Sequence, residues 1–148
     1  MKHDYLKYWR VVRNFVKVKY KLNEAEVEML LFLYSEQYFD KDKFQEFNNL
    51  LPWDVKRFNR LLRDGWLETF RRNHGHRRSV YQLSFKAKRL VDFIYKKLEG
   101  EEIPMTMGNN PMFAKNVRYT DKIYRNMIIS MNKYIRDQRN SKANEGMQ

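Results

Sequence analysis

The chain has 148 residues, 43% of them hydrophobic and 16% aromatic, which is enough apolar material for one compact domain with flanking segments and too little chain for two large enzyme lobes. Thirty Lys and Arg against eighteen Asp and Glu leave a formal charge of +12, which favours a polyanionic partner, nucleic acid first. The absence of cysteine excludes disulfide scaffolds, thiolate zinc sites and cysteine nucleophiles.

From Asp4 to about Lys19, Tyr5, Tyr8, Trp9, Val12, Phe15 and Val16 fall at helical spacing with Lys7, Arg10, Arg13 and Lys17 between them, which predicts an amphipathic helix. In LNEAEVEMLLFLYSE, Asn23 can cap the amide of Glu26, Glu24 and Glu26 lie at the positive end of the dipole, and Val27, Leu30, Leu31 and Tyr34 form a stripe. A brief third helix with Phe44 and Phe47 should end near Asn48. Pro52 suits the first turn of a fourth, with Val55, Phe58, Leu61 and Leu62 inward and Asp64-Gly65 as its stop. Two short helices with a tight connection are the skeleton of a helix-turn-helix.

After Gly65 the periodicity changes. Trp66 to Phe70 and Ser79 to Leu83 are short aromatic and β-branched runs flanking RRNHGHRR, which predicts a β-hairpin with a long basic tip. Ser84 can cap a helix with Ala87, Leu90, Val91, Ile94, Tyr95 and Leu98 inward and Gly100 at its end. Glu101 to Thr120 holds Pro104, Gly108 and Pro111, lacks a period and reads as a linker, made sticky by Met105, Met107, Met112 and Phe113. A last helix from Thr120 carries Ile123, Met127, Ile128, Met131, Tyr134 and Ile135 on one face, and residues beyond about Arg139 read as a fraying polar tail. The expected class is mainly α with a small β-hairpin.

The charge is concentrated. Between Pro52 and Arg89 stand eleven basic and three acidic residues, a surplus of eight out of the chain's twelve held in 38 residues. With Val55, Phe58 and Leu62 turned to the core, Asp54, Lys56, Arg57, Asn59, Arg60 and Arg63 are left outside, and five of these six can donate to phosphates or base edges. The tip adds Arg71, Arg72, His74, His76, Arg77 and Arg78 around Gly75, a cationic finger long enough to follow a groove. A merely solvated face is the plainer reading of such a run, and DNA contact is preferred to it because a loop has no folding reason to accumulate like charges.

An enzyme is not expected. The histidines are His3, His74 and His76, with no carboxylate pair near the last two, so neither a general acid-base pair nor a metal site assembles, and no Gly-rich phosphate loop or serine nucleophile motif is present. Neither a cofactor nor a metal is therefore expected. No apolar run approaches the roughly 18 residues that cross a bilayer, and MKHDYLKYWR carries charge where a signal peptide needs an apolar stretch. A soluble cytoplasmic protein without a membrane partner is the expectation.

The order of elements from Leu22 to Leu98 resembles the winged helix-turn-helix of the MarR family of regulators. LNEAEVEMLLFLY looks like that family's Leu-Thr-x-x-Glu-x-x-x-Leu helix start. VKRFNRLLRDGWLETF looks like a recognition helix running through Leu-x-x-x-Gly-hydrophobic-hydrophobic-Glu into the first wing strand. RRSVYQLSFKAKRLV is similar to the second wing strand and its Leu-Thr-x-x-Gly exit, with Ser84 in place of Thr and Ala87 in place of Gly. The resemblance implies a winged helix-turn-helix at 22–99 flanked by dimerisation helices at 1–21 and 120–140, with a linker at 100–119 and a tail at 141–148. It further implies a sequence-specific regulator of transcription, a homodimer on double-stranded DNA with a palindromic operator, placing Leu51 to Arg63 of each subunit in the major groove. Arg57, Asn59 and Arg60 then read base edges, Lys56 and Arg63 hold phosphates, and Arg71, Arg72, Arg77 and Arg78 reach the minor groove or its rim, with His74 and His76 at the wing tip. Tyr5, Tyr8, Trp9, Val12, Ile123, Met127, Met131 and Tyr134 are the expected dimer interface, with room for a small-molecule effector pocket beside it. Trp53 either seals the turn before the recognition helix, the preferred reading, or stacks at the DNA backbone. The competing expectation is a winged-helix architectural or interaction protein that binds nucleic acid or an acidic partner without sequence readout.

Overall fold

The computed structural model describes residues 4–50, 54–73, 75 and 78–146. Its elements in chain order are α1 (Tyr5–Tyr20), α2 (Glu24–Tyr34), α3 (Lys41–Asn48), α4 (Val55–Arg63), β1 (Leu67–Arg71), β2 (Val80–Leu83), α5 (Phe85–Leu98), a 3-10 turn (Pro111–Phe113) and α6 (Tyr119–Gly146). The protein is mainly helical with a small antiparallel hairpin. It divides into two compact units, Asn23–Phe93 and the pair of segments Met1–Leu22 and Ile94–Gln148. No helix of the described residues is long and apolar enough to cross a membrane.

In the Asn23–Phe93 unit each of the first three helices starts on a side-chain oxygen that satisfies an otherwise unpaired amide. Asn23 and Glu26 form a reciprocal capping box on α2, with distances of 2.8 and 3.1 Å. Asp40 accepts from the Lys43 amide at 2.9 Å to start α3, and Asp54 accepts from the Arg57 amide at 2.8 Å to start α4. α4 ends where Gly65, at φ +83°, turns the chain, so that the Gly65 and Trp66 amides reach back to the Leu62 and Leu61 carbonyls. The fully buried ring of Phe58, on α4, meets Phe44, Tyr81 and Phe39 edge-on at centroid distances of 5.0, 5.0 and 6.4 Å, the geometry that ring quadrupoles favour.

The hairpin pairs Leu67 with Leu83, Glu68 with Gln82, Thr69 with Tyr81 and Arg71 with Val80, leaving Phe70 as the extra residue of a bulge. A further pairing is absent from the sequence reading: Phe39, in the loop before α3, exchanges two backbone hydrogen bonds with Tyr81 at 3.0 and 2.8 Å. β2 therefore has a partner on both sides. A single residue has no alternation to detect, which is why the pattern along the chain could not reveal it. The buried Ser84 hydroxyl donates to the Trp66 carbonyl at 3.1 Å and accepts from the Ala87 amide at 3.2 Å, joining the hairpin to the start of α5.

In the other unit, α1 begins at the Asp4 cap, buries Tyr8, Val11, Val12, Phe15 and Val16, and ends at Lys21 in the left-handed region. The stretch read as a sticky linker at 100–119 is anchored by side-chain hydrogen bonds, and its last residue, Tyr119, already opens α6. The Asn132 side chain, on α6, accepts from the Ile103 amide at 2.9 Å and donates to the Ile103 carbonyl at 2.8 Å. Asn110, fully buried, donates to the Pro104 carbonyl at 2.8 Å and accepts from the Met112 amide at 3.1 Å. These amide side chains satisfy irregular backbone that no periodic pattern announces.

Several inward assignments change. Val55 is 43% exposed because it opens α4, one turn short of the buried stripe. Tyr34, Tyr95, Ile123 and Tyr134 are exposed, whereas Lys97 is buried with its ammonium 2.7 Å from Glu101. The tail expected from about Arg139 is helical to Gly146, since no Pro or Gly interrupts the polar run before that residue.

Two carboxylates of this unit link its stability to pH. Hydrogen bonds from Arg139 and Arg136, at 2.7 and 2.6 Å, hold Glu102 below the ordinary glutamate value, and the Lys97 hydrogen bond does the same for Glu101. A depressed native value means that the stabilisation is complete above the unfolded-state value of about 4.5 and is lost as pH falls through the lower native values. The melting temperature should fall on acidification below about pH 4.5, and Glu102→Gln should remove part of that fall; an identical acid profile for the variant contradicts the assignment.

Candidate nucleic-acid interface

Burial of Phe58 and Leu61 fixes the rotation of α4, and the helical period then places its cations on the opposite side. Lys56, Arg57, Asn59, Arg60 and Arg63 line one open cleft of about 620 Å³, together with Asn23 and Asp54. The structure thus brings together all five of the α4 residues expected to contact DNA.

Their guanidinium groups are paired with carboxylates, contacts that spacing along the chain does not reveal. The Arg57 guanidinium lies 3.8 Å from Asp54, Arg63 Nε lies 3.2 Å from Asp64, and Arg60 Nε lies 3.9 Å from Asp64 and 3.6 Å from Glu26. Glu26 is the notable member. Its side chain is 1% exposed, one oxygen completes the capping box of α2, and the other has no hydrogen-bond partner and faces the half-exposed Arg60 across 3.6 Å. A buried carboxylate requires a cation nearby, so Glu26 ties Arg60 to the protein and limits where its guanidinium can reach. In the sequence Glu26 reads as a first-turn acid at the positive end of the α2 dipole; its pairing with Arg60 depends on tertiary folding.

On the hairpin, Arg71 and Arg72 are exposed. Arg78 pairs with Asp42 of α3, an ion pair that holds one side of the finger to the body of the unit. The Asn73 amide donates to the Ser79 hydroxyl at 2.9 Å, and Gly75 adopts φ +62° at the tip. His74, His76 and Arg77, expected at the tip, lie outside the described residues, as do Leu51, Pro52 and Trp53 before α4 and His3 at the amino end.

The expected interface residues fall into two groups. Tyr8, Val12 and Met131 are buried inside their own chain, which corrects their assignment as an intermolecular surface: α1 and α6 use them in packing within one chain. Burial, the largest cause, pushes the Tyr8 phenol above its ordinary value. Tyr5, Ile123 and Tyr134 are exposed, and Trp9 and Met127 are half-buried, with the Arg13 guanidinium 5.7 Å above the Trp9 ring.

Among the described residues no group of three or more His, Asp or Glu side chains is placed to hold a metal ion. Comparison with known protein families, with curated proteins and with solved structures yields no match.

Proposed function

We propose that the chain is a winged helix-turn-helix regulator that binds double-stranded DNA as a homodimer, with α4 in the major groove and the basic wing residues Arg71, Arg72 and Arg78 at the minor groove. The observation that carries this reading is the row of Lys56, Arg57, Asn59, Arg60 and Arg63 around one open cleft on the outward side of α4. Arg matches guanine O6 and N7 as a bidentate donor, and Lys and Arg neutralise phosphates. The isolated bridge between Phe39 and Tyr81 ties the loop before α3 to β2 of the hairpin. Exposed Tyr5, Leu6, Ile123, Ile129 and Tyr134 on α1 and α6 supply apolar surface for pairing of two copies. Two-fold symmetry then sets half-site centres about 10 bp apart.

Selection of duplexes from a random pool at about 0.15 M salt tests the reading. Enriched sequences should contain an inverted repeat, and equal retention of every duplex defeats it. Arg60 needs care as a probe, because truncating it alone strands the buried carboxylate of Glu26. Glu26→Gln keeps an acceptor for the Asn23 amide and removes the charge. In that background Arg60→Ala should relax base preference at one position by about 1–3 kcal/mol, whereas Lys56→Ala should weaken all duplexes alike and flatten the salt dependence.

A second reading, duplex binding without base readout, is favoured by one observation: Arg57, Arg60 and Arg63 each lie within 4 Å of a carboxylate, which restrains them near the helix surface. Uniform affinity in the selection, together with a steep salt dependence, supports it.

A further inference from the structure

Two backbone irregularities of the Asn23–Phe93 unit turn aromatic rings outward onto the same surface. The β-bulge takes Phe70 out of the hairpin ladder, and Gln37, at φ +59°, turns the chain so that Phe39 enters the core while its neighbour Tyr38 does not. A non-glycine residue in the left-handed region and a bulge both cost conformational energy, and such features are retained where they aim a side chain. Tyr38 and Phe70 are 51% and 55% exposed, and their rings touch, with centroids 4.4 Å apart at 41°. Burial alone does not account for two large rings left half in water.

The chemistry around the pair identifies what it fits. Tyr38 also lines an open cleft of about 560 Å³ with Tyr34, Gln37, Gln82 and Lys88. Two amides can meet the polar edge of a base, and an ammonium can meet a phosphate. Tyr34 donates to Asp92 at 3.0 Å and Gln82 donates to Glu68 at 2.9 Å, contacts that hold these lining groups in place. Arg71 follows Phe70 on β1 and Arg72 follows it in turn, both exposed. Exposed rings beside cations and amides are the elements of a stacking platform for an unpaired nucleotide.

We infer that Tyr38 and Phe70, with the adjoining cleft of Gln37, Gln82 and Lys88, bind one unstacked base of a nucleic acid and its phosphate. The platform deepens the proposed nucleic-acid reading and rests on it only for the class of partner. It uses neither the cleft on α4 nor its arginines, and it gives the protein a means to engage a single strand or a base displaced from a duplex.

Fluorescence anisotropy with the full-length chain tests this on labelled oligothymidine, oligouridine, a perfect duplex, and the same duplex with one extra unpaired nucleotide. Phe70→Ala and Tyr38→Ala should each weaken the single strands and the bulged duplex about tenfold, with the perfect duplex changed by less than about twofold, while Tyr38→Phe should bind as the unsubstituted protein does. A thermal melt of each variant controls for folding, and both substituted rings are exposed. Oligothymidine against oligouridine reports whether DNA or RNA supplies the base. The inference is overturned if both alanine variants bind single strands and the bulged duplex normally, or if they weaken the perfect duplex equally. Failure of the unsubstituted protein to bind the perfect duplex instead defeats the regulator reading, and the single-strand measurements still decide the platform.

Discussion

Replacing Phe58 by alanine is expected to destabilise the Asn23–Phe93 unit by about 3–5 kcal/mol and to abolish duplex binding, although the ring itself touches no nucleic acid. The magnitude follows from the packing. Phe58 is fully buried and meets Phe39, Phe44 and Tyr81 together, with the Lys41 ammonium 5.9 Å from its centroid. Truncation removes the transfer energy of a phenyl group and leaves a cavity walled by three rings whose own backbones are tied down by a strand bridge and a helix. Such a cavity collapses poorly, which places the cost toward the upper part of the range. Because Phe58, with Leu61, sets the rotation of α4, its loss loosens the common face of Arg57, Arg60 and Arg63. Urea unfolding followed by amide exchange within residues 23–93 measures the first effect and duplex titration the second. A loss below about 1 kcal/mol shows that the aromatic cluster does not hold the helix.

The second large effect is expected in the other unit. Asn132→Leu keeps the branched shape of the side chain and removes both hydrogen bonds to Ile103, leaving a buried amide and a buried carbonyl without partners. Each orphaned group costs about 1–3 kcal/mol, so a loss of about 2–5 kcal/mol is expected. Asn132→Asp is a sharper probe of the same site, since it keeps an acceptor for the Ile103 amide, sets two acceptors against one another at the Ile103 carbonyl and buries a charge. Both variants should lose exchange protection at the Ile103 amide before the rest of α6 opens. Retained protection there means that the segment is held by its apolar contacts and not by Asn132.

Several features of the fold were legible along the chain because they are local. The Asn23 cap on the Glu26 amide, the Gly65 stop and the Ser84 cap are each decided within three residues of backbone, and each stands where its residue type predicts. The hairpin strands differ by one residue at their ends from the aromatic and β-branched runs that predict them. On the site, the helical spacing that turned Val55, Phe58 and Leu62 inward placed Lys56, Arg57, Asn59, Arg60 and Arg63 outside together, although Phe58 and Leu61 are the residues buried while Val55 is exposed and Leu62 half-buried. Tyr8, Val12 and Met131 were misread because an apolar stripe reports that a face is covered and is silent on whether the cover is the same chain or another.

Hydrophobic period and capping chemistry therefore sufficed for the presence and order of α1–α6 and the two hairpin strands and for the side of α4 that carries charge, since those depend on interactions over one or two helical turns. Partnership across long stretches of chain was settled by folding alone: Glu26 beneath Arg60, Arg78 against Asp42, Phe39 beside Tyr81, and Asn132 clasping a residue 29 positions away. A carboxylate, a phenyl ring or an amide has the same local signature whichever distant group it meets, and the meeting exists only when apolar burial has brought the elements together.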